Sequence, residues 1–222
     1  DQPGGGTVDW TNPWGEYKFI DDIEIREDGG TPGFLQAIRA ALAIRLKEQM
    51  SVGKMREREK ELVKMTFKEL RSIPYIHILA DPVQDRLGVF SFYMEGIHYN
   101  LLVKILSDRF GIQMRGGCAC AGTYGHYLLD VSYDKSKEIT EKINHGDLSE
   151  KPGWVRMSLH PIMTDEDFYL IMDALRQIAK HHKKWGAQYH YNRHTNEFRH
   201  QNAPKDETEK IIDWFQLNPF SM

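Results

Sequence analysis

The sequence lacks the features that mark secreted and membrane proteins. Its 222 residues include two cysteines, Cys118 and Cys120, which lie too close together along the chain to form a disulfide that would stabilise the fold. No apolar run approaches the roughly 18 to 20 residues needed to span a bilayer, and the N-terminus lacks the basic and apolar regions of a signal peptide. We therefore expect a cytoplasmic protein without a membrane partner, in which any importance of the two thiols is chemical.

An excess of charge of either sign is also missing. The chain has 29 Lys and Arg against 32 Asp and Glu, a formal net charge of −3, and the two signs are interspersed. Such a distribution offers no broad basic face, so nothing in it supports binding to nucleic acid. Ten histidines are present, but no pair of them falls in a helix-supported ligand pattern with a third carboxylate or thiol. We therefore expect no metal site.

The sequence does carry the pattern of a globular protein in which helices and short strands alternate. Hydrophobic residues make up 41% of it, enough for one substantial core or two small ones. Apolar periodicity and capping residues predict four helices, which begin at Thr31, after Gly53, near Ile97 and at Thr164. β-Branched and aromatic runs predict strands at 17–26, 75–79, 89–94, 112–115 and 154–159. The predicted class is α/β or α+β.

Two thiols lie in a glycine-flanked loop at 115–122, with the sequence RGGCACAG, directly after a predicted strand. Small neighbours leave a thiol accessible, and a nearby cation such as Arg115 would favour the nucleophilic thiolate. Free cysteines are more often buried as small hydrophobic residues, so on these residues alone a structural role is the simpler interpretation of both. A zinc site has less support, because Cys-x-Cys supplies two of the four ligands that a closed site needs.

Two further positions are suited to anions. Thr31 lies between Gly30 and Pro32, so its hydroxyl is predicted to cap a helix whose first amides and dipole favour an anion. An ordinary N-cap explains the same residues without a ligand. Arg156 lies on the predicted strand at 154–159, where its guanidinium could hold a carboxylate if that face of the sheet lines a cleft. A solvated arginine is the simpler interpretation.

Taken in order, these stretches resemble the class V aminotransferase family, and most closely its cysteine desulfurase and selenocysteine lyase branch. GGGTV at 4–8 resembles the family's Gly-rich segment, and GGTPG at 29–33 resembles its Gly-Thr-Pro helix start. RGGCACA, which begins at Arg115, resembles the family's Arg-x-Gly-x-x-Cys-Ala loop. VRMSLHPIMTDEDF at 155–168 resembles the Arg-x-Ser segment that precedes its last helix. The resemblance covers about residues 3–185.

This resemblance implies the C-terminal part of a fold-type I enzyme that depends on pyridoxal phosphate (PLP), with a mixed sheet and flanking helices. Residues 1–50 would be the end of the large PLP-binding domain, including a helix that enters the small domain. Residues 51–186 would form the small C-terminal α/β domain, and 187–222 a polar, His-rich C-terminal extension. The resemblance also implies an amino-acid substrate, a sulfur acceptor and a homodimer.

Carried over to the matching positions, the family pattern makes Cys120 the catalytic cysteine, whose thiolate attacks the substrate sulfur and is left as a persulfide. Arg156 would anchor the α-carboxylate of the substrate. Thr31, with Gly30, would contact the cofactor phosphate across a dimer interface. Cys118 departs from the pattern, because desulfurases of this branch often have His near that position. The family also includes aminotransferases, epimerases and kynureninases, so the reaction itself stays open.

The resemblance further implies that the lysine holding PLP precedes the Gly-rich segment and lies before residue 1, together with the His and Asp that contact the cofactor ring. We therefore expect this chain to be inactive alone. Two alternatives remain. One is a non-catalytic binding or dimerisation module in which Cys118 and Cys120 respond to redox state or metal. The other is a degenerate family member that retains its dimer surface.

Overall fold

The computed structural model describes residues 2–118 and 120–203. Within them the chain forms eight strands and seven helices, and it divides into two compact units, one ending at Met55 and the other beginning at Arg56. Among the residues that the structure describes, no helix is both long and apolar enough to cross a membrane. The mixture of helices and small sheets confirms the predicted α/β class.

The first unit opens with two short strands, β1 (Val8–Thr11) and β2 (Tyr17–Phe19), which pair antiparallel. A short helix, α1 (Ile23–Glu27), follows. The Asp22 side chain caps it by accepting hydrogen bonds from two amides of its first turn. The extended stretch predicted at 17–26 is therefore correct for β2 and wrong for the residues of α1. The Asp22 cap stabilises a helical turn there, which apolar spacing does not reveal.

The helix predicted after Thr31 is present as α2 (Phe34–Gln49), but its N-cap is Gly33 and no side chain caps it. The prediction that Thr31 is the N-cap is therefore wrong. The Phe34 amide donates a hydrogen bond to the Pro32 carbonyl (2.8 Å), so a tight turn separates Thr31 from the helix. The exposed apolar side chains of α2 are Phe34, Leu35, Ile38, Leu42, Ile44 and Leu46.

The second unit contains most of the core. The boundary between the two units falls within α3 (Val52–Ser72). The elements that follow α3 are β3 (Ile76–Ile78), β4 (Val89–Met94), α4 (Tyr99–Phe110), β5 (Arg115–Gly117), α5 (Gly122–Leu128), α6 (Tyr133–Asn144), β6 (Trp154–Ser158), α7 (Asp165–Gly186), β7 (Tyr189–Asn192) and β8 (Glu197–His200). Of these eleven elements, the sequence patterns predicted α3, β3, β4, α4, β6 and α7. β5 begins where the predicted strand ends, and α5, α6, β7 and β8 were missed.

Four strands form the main sheet of this unit in the order β3-β4-β6-β5, and every neighbouring pair is antiparallel. Consequently β4 and β5, which α4 connects, run parallel to each other with β6 between them. The predicted strand-helix-strand unit is therefore present, but its two strands are not neighbours. β5 is an edge strand of the sheet.

The core lies against one face of this sheet. Phe90, Phe92 and Met94 of β4 are buried there and alternate with partly exposed residues. Val155 and Met157 of β6 are buried in the same core. Three helices complete it with Leu62, Phe67 and Leu70 of α3, Leu102, Ile105 and Leu106 of α4, and Phe168, Met172, Leu175 and Ile178 of α7.

The last of these helices begins as its sequence predicts. Thr164 and Asp167 form a capping box: the Thr164 hydroxyl accepts from the Asp167 amide (3.1 Å), and the Asp167 carboxylate accepts from the Thr164 amide (3.0 Å). Two amides at the start of α7 are thereby satisfied by local side chains. This kind of local signal can be read directly from a sequence.

β7 and β8 form a hairpin that is fixed to the start of α4 through one buried residue, Asn196. The Asn196 amide donates to the Tyr99 hydroxyl (2.8 Å), and its side-chain oxygen accepts from the Tyr191 hydroxyl (2.9 Å). Its backbone carbonyl accepts from the Asn100 side chain (2.6 Å). Residues 204–222 of the predicted C-terminal extension lie outside the described residues.

Asn196→Ala should destabilise the protein by roughly 2 to 4 kcal/mol, because it removes one hydrogen bond from each of two tyrosine hydroxyls and strains a left-handed backbone (φ +59°). Asn196→Gly loses the same side-chain hydrogen bonds but relieves the strain, so its loss should be about 1 kcal/mol smaller. Urea unfolding of both variants measures the difference. A loss below about 0.5 kcal/mol for Asn196→Ala would show that the hairpin is not held by this residue.

Candidate active site

Two arginines lie directly opposite each other in the main sheet. Arg115 of β5 pairs with Arg156 of β6, and Ser91 of β4 flanks Arg156 on its other side. Directly opposed residues share a face of the sheet, with Cβ atoms about 4.5 to 5.5 Å apart, and like charges at this spacing repel. An anion between the two guanidinium groups would remove that repulsion. This row of the sheet is therefore suited to an anionic ligand.

Arg156 is the better placed of the two to bind such a ligand. It is half-buried, and its guanidinium makes no hydrogen bond or ion pair with any residue that the structure describes. A planar guanidinium in this position offers two parallel N–H groups to a carboxylate. The sequence placed Arg156 on a strand, and the structure adds that a second cation lies beside it.

Cys120 lies in a tight turn immediately after β5. The Ala121 amide donates to the Cys118 carbonyl (2.9 Å) and closes the turn, and Cys120 adopts a left-handed backbone with φ +60°. For a residue with a β-carbon that conformation costs roughly 1 to 2 kcal/mol. The Cys120 thiol is exposed, and its Sγ lies 3.7 Å from Nη2 of Arg115, within reach of an N–H···S hydrogen bond. The structure thus brings Cys120, Arg115 and Arg156 together.

Cys118 has a different environment from Cys120. Its thiol is free but half-buried, and it lines an open cavity of about 880 Å³ on the α4 side of the sheet. Gly116 allows α4 to approach this edge, because a β-carbon there would lie 2.6 Å from Oδ1 of Asn100. The sequence left open whether the two thiols are accessible or buried, and the structure exposes one of them and sets the other into a cavity.

The two predicted cofactor contacts lie in the first unit, in which two Gly-rich segments pack together. The Gly30 amide donates to the Gly5 carbonyl (2.9 Å), and a β-carbon on Gly6 would lie 2.9 Å from the Gly30 nitrogen. Thr31 is exposed, and its hydroxyl has no hydrogen-bond partner among the described residues. A free hydroxyl just before the uncapped start of a 16-residue helix fits a phosphate group. Gly30 fits by close backbone approach, since its amide is already used.

A comparison with known protein families gives a match over most of the chain. The model of the aminotransferase class-V family matches residues 2–170. The chain belongs to the aminotransferase class-V family. The resemblance inferred from the Gly-rich segments, the cysteine loop and the Arg-x-Ser segment is thereby confirmed.

Relatives of this class-V chain include probable cysteine desulfurases from two staphylococci. The protein from Staphylococcus aureus strain Mu50 is 30% identical over 149 residues, which cover 64% of this chain and 35% of that protein. The protein from Staphylococcus epidermidis strain ATCC 12228 is 28% identical over 118 residues, covering 53% of this chain and 28% of that protein. The chain thus spans about a third of the length of these relatives.

Solved cysteine desulfurases share its fold. The apo structure from Thermococcus onnurineus NA1 matches with a TM-score of 0.56 and 26% identity, covering 80% of this chain and 38% of that one. The Escherichia coli enzyme CsdA, in its S-sulfonic acid form, matches with a TM-score of 0.56 and 18% identity, covering 81% and 38% of the two chains. This second likeness shows the fold alone.

Sequence reasoning missed the opposition of Arg115 and Arg156. It treated Arg115 as a cation near the thiols, and the strand pairing that places it beside Arg156 depends on residues about 40 positions away. No local pattern carries that information.

Within the described ranges, no group of three His, Cys, Asp or Glu side chains lies close enough to hold a metal ion.

His98 is a second residue that the sequence did not single out. Its Nδ1 accepts a hydrogen bond from the Asn100 amide (3.1 Å) and caps α4, and its ring lies among Tyr99, Tyr191 and Phe198. Its Nε2 is buried without a hydrogen-bond partner in the described part of the chain. Burial lowers the pKa of His98, because the charged imidazolium would lose its hydration. Folding therefore favours the neutral form of this ring.

Acidification should destabilise the protein through His98. As pH falls below about 6.5, the unfolded chain takes up a proton at this residue that the folded chain does not, so the stability present above that pH is lost. His98→Asn keeps a capping acceptor but removes the titrating ring. The free energy of unfolding, measured in urea at about pH 7.5 and pH 5.5, should fall less in this variant than in the wild type. Equal losses would contradict the assignment, since the other histidines are common to both proteins.

Proposed function

We propose that this chain provides the nucleophilic cysteine and the carboxylate anchor of a cysteine desulfurase that depends on PLP. One observation carries the proposal: the exposed thiol of Cys120 lies 3.7 Å from Arg115, which is paired directly with Arg156 in the sheet. A sulfur nucleophile next to a two-arginine anion site suits a small substrate with both a carboxylate and a sulfur atom. The staphylococcal relatives named probable cysteine desulfurases support the same reaction.

In this proposal each residue has a separate task. Arg156 binds the α-carboxylate in a bidentate contact and fixes the orientation of the amino acid. The hydrogen bond from Arg115 holds the Cys120 thiol at the substrate side of the turn. PLP, when bound, withdraws electrons from the amino acid and so makes its sulfur open to attack.

The sulfur-transfer step requires no added oxidant. The Cys120 thiolate attacks the sulfur of the substrate cysteine, and a new S–S bond forms as the C–S bond of the substrate breaks. The carbon keeps the electron pair of that bond and takes up a proton, which yields alanine. Cys120 is left as a persulfide.

Thr31 and Gly30 are proposed to hold the cofactor phosphate, through the Thr31 hydroxyl, the first amides of α2 and close backbone approach at Gly30. In the family pattern these residues reach the cofactor across the interface of a homodimer, and the lysine that attaches PLP precedes the Gly-rich segment. We therefore propose that attachment of PLP needs sequence before residue 1 and that the 222-residue chain is inactive alone. Its two free thiols agree with a cytoplasmic location.

An absorbance scan with added PLP tests the cofactor proposal. A protein extended upstream through the expected lysine should show a band at about 410 to 430 nm, and the 222-residue chain should show none. A band in the shorter chain would contradict the requirement for upstream sequence. No band in either would favour a non-catalytic binding or dimerisation module.

Cys120→Ala in the full-length protein should lower sulfide release from cysteine by at least about a hundredfold, because the acceptor of the substrate sulfur is removed. The PLP absorbance band should persist, which separates loss of the nucleophile from loss of the cofactor. Cys118→Ala is the matched thiol deletion and should cause a smaller loss. Wild-type sulfide release by Cys120→Ala would end the assignment of this residue.

Arg156→Gln should raise the KM for the amino acid by roughly 10- to 100-fold, the loss expected for a charge-assisted hydrogen bond of about 1.5 to 3 kcal/mol. Arg156→Lys should recover part of that loss, since a lysine keeps the charge but not the bidentate geometry. Arg193→Gln, at an exposed loop position, serves as the control for removing one positive charge. An unchanged KM in Arg156→Gln would remove the carboxylate anchor.

A further inference from the structure

The turn after β5 places its two thiols in different surroundings. Cys120 is exposed beside Arg115, on the face opposite the core. Cys118 lines the open cavity of about 880 Å³ on the α4 side, a volume within the roughly 300 to 1,000 Å³ range of small-molecule sites. One residue separates the thiols, so their Cα atoms lie no more than about 7 Å apart.

The outer wall of this cavity is the β7–β8 hairpin, with Thr195 at its turn and Phe198 on β8. Asn196 ties the hairpin to Tyr99 and Asn100 on α4, which form the opposite wall. The hairpin lies beyond residue 170, where the match to the family model ends. The cavity therefore combines the family's cysteine loop with a segment outside the matched region.

The charges in the cavity indicate what kind of molecule it would hold. Among the described residues, three cationic side chains, Lys104, Lys151 and Arg199, line it with one carboxylate, that of Glu197. Lys104 also forms an ion pair with Asp108 at the rim (2.6 Å). The excess of positive charge favours a small anionic ligand, and it would stabilise an anionic persulfide on Cys118.

We propose that Cys118 is a second sulfur carrier, which takes the sulfane sulfur from Cys120 and passes it to a small carboxylate-bearing thiol in this cavity. The proposal rests on the proposed function, in which Cys120 first becomes a persulfide. The Cys118 thiolate attacks the outer sulfur of that persulfide and forms a new S–S bond. The S–S bond at Cys120 breaks, its electron pair stays on Cys120 Sγ, and that sulfur takes up a proton.

The acceptor thiolate then attacks the outer sulfur on Cys118 in the same way and releases the Cys118 thiolate. The transferred sulfur keeps its oxidation state in both steps, so neither an oxidant nor a reductant is required. The path carries sulfur from the substrate side of the sheet around its edge to the cavity. Cys118 therefore delivers sulfur away from the substrate site.

The test uses the full-length protein in a single turnover with cysteine, followed by 3-mercaptopropionate as the acceptor. Rapid alkylation and tandem mass spectrometry locate the persulfide at each time. In the wild type it should appear on Cys120 first and on Cys118 later. In Cys118→Ser it should remain on Cys120, and transfer to 3-mercaptopropionate should slow at least about tenfold.

Two tryptophan variants test the cavity itself. Ser107→Trp fills it from α4 and should slow transfer to the acceptor while the persulfide still reaches Cys118. Gln177→Trp places the same side chain on an exposed position of α7 and should transfer at the wild-type rate. Cysteamine, which carries an amine in place of the carboxylate, should accept sulfur more slowly than 3-mercaptopropionate.

A wild-type transfer rate in Cys118→Ser, or a persulfide that never reaches Cys118, would overturn the relay. If cysteine produces no persulfide in any variant, the proposed function fails, and the relay is then tested by loading the same protein with inorganic tetrasulfide. Sulfur that is loaded on Cys120 and moves to Cys118 would support the relay independently of the desulfurase reaction. Sulfur that stays on Cys120 would refute it.

Discussion

The register of β5 against β6 positions both thiols and both arginines. The pairs Arg115–Arg156, Gly116–Val155 and Gly117–Trp154 fix which side chains face the core and which face away from it. A slip of one residue would turn Arg115 toward α4 and place Gly116 beside Arg156. The two-arginine row would then no longer exist. The register also fixes where the strand ends, and so where the turn with the two cysteines begins.

The glycines of β5 and its surroundings make this register the one that packs. Gly116 faces α4, where a β-carbon would lie 2.6 Å from Asn100, and Gly153 lies against the Tyr99 ring, 2.5 Å from where its own β-carbon would be. On the opposite face, Gly125 of α5 leaves room for Trp154, because a β-carbon on Gly125 would lie 3.0 Å from the indole ring. Residues larger than glycine would push α4 and α5 away from the sheet.

Much of this fold can be predicted from the sequence, because its signals are local. α3, α4 and α7 follow their apolar periodicity, and the α7 capping box uses residues three positions apart. α5 has seven residues and α6 buries one side chain, Ile139, so few apolar residues mark either helix in the sequence. The Gly33 start of α2 depends on a turn at Pro32. The candidate site residues are a prediction from local motifs, but the arginine pairing and the different surroundings of the two thiols depend on long-range register. That register cannot be read from a single sequence, because it pairs residues that are far apart along the chain.

The site combines two unfavourable features at one edge of the sheet. Two like charges oppose each other across β5 and β6, and Cys120 holds a left-handed backbone a few residues away. Such costs of a few kcal/mol are tolerated because the strands that frame the site are anchored by buried residues, among them Phe92 and Val155, on the other face of the sheet. A carboxylate between the arginines would remove the first cost, so binding of an anion should also stabilise this edge. The same charge pattern that weakens the free protein therefore strengthens its preference for an anion.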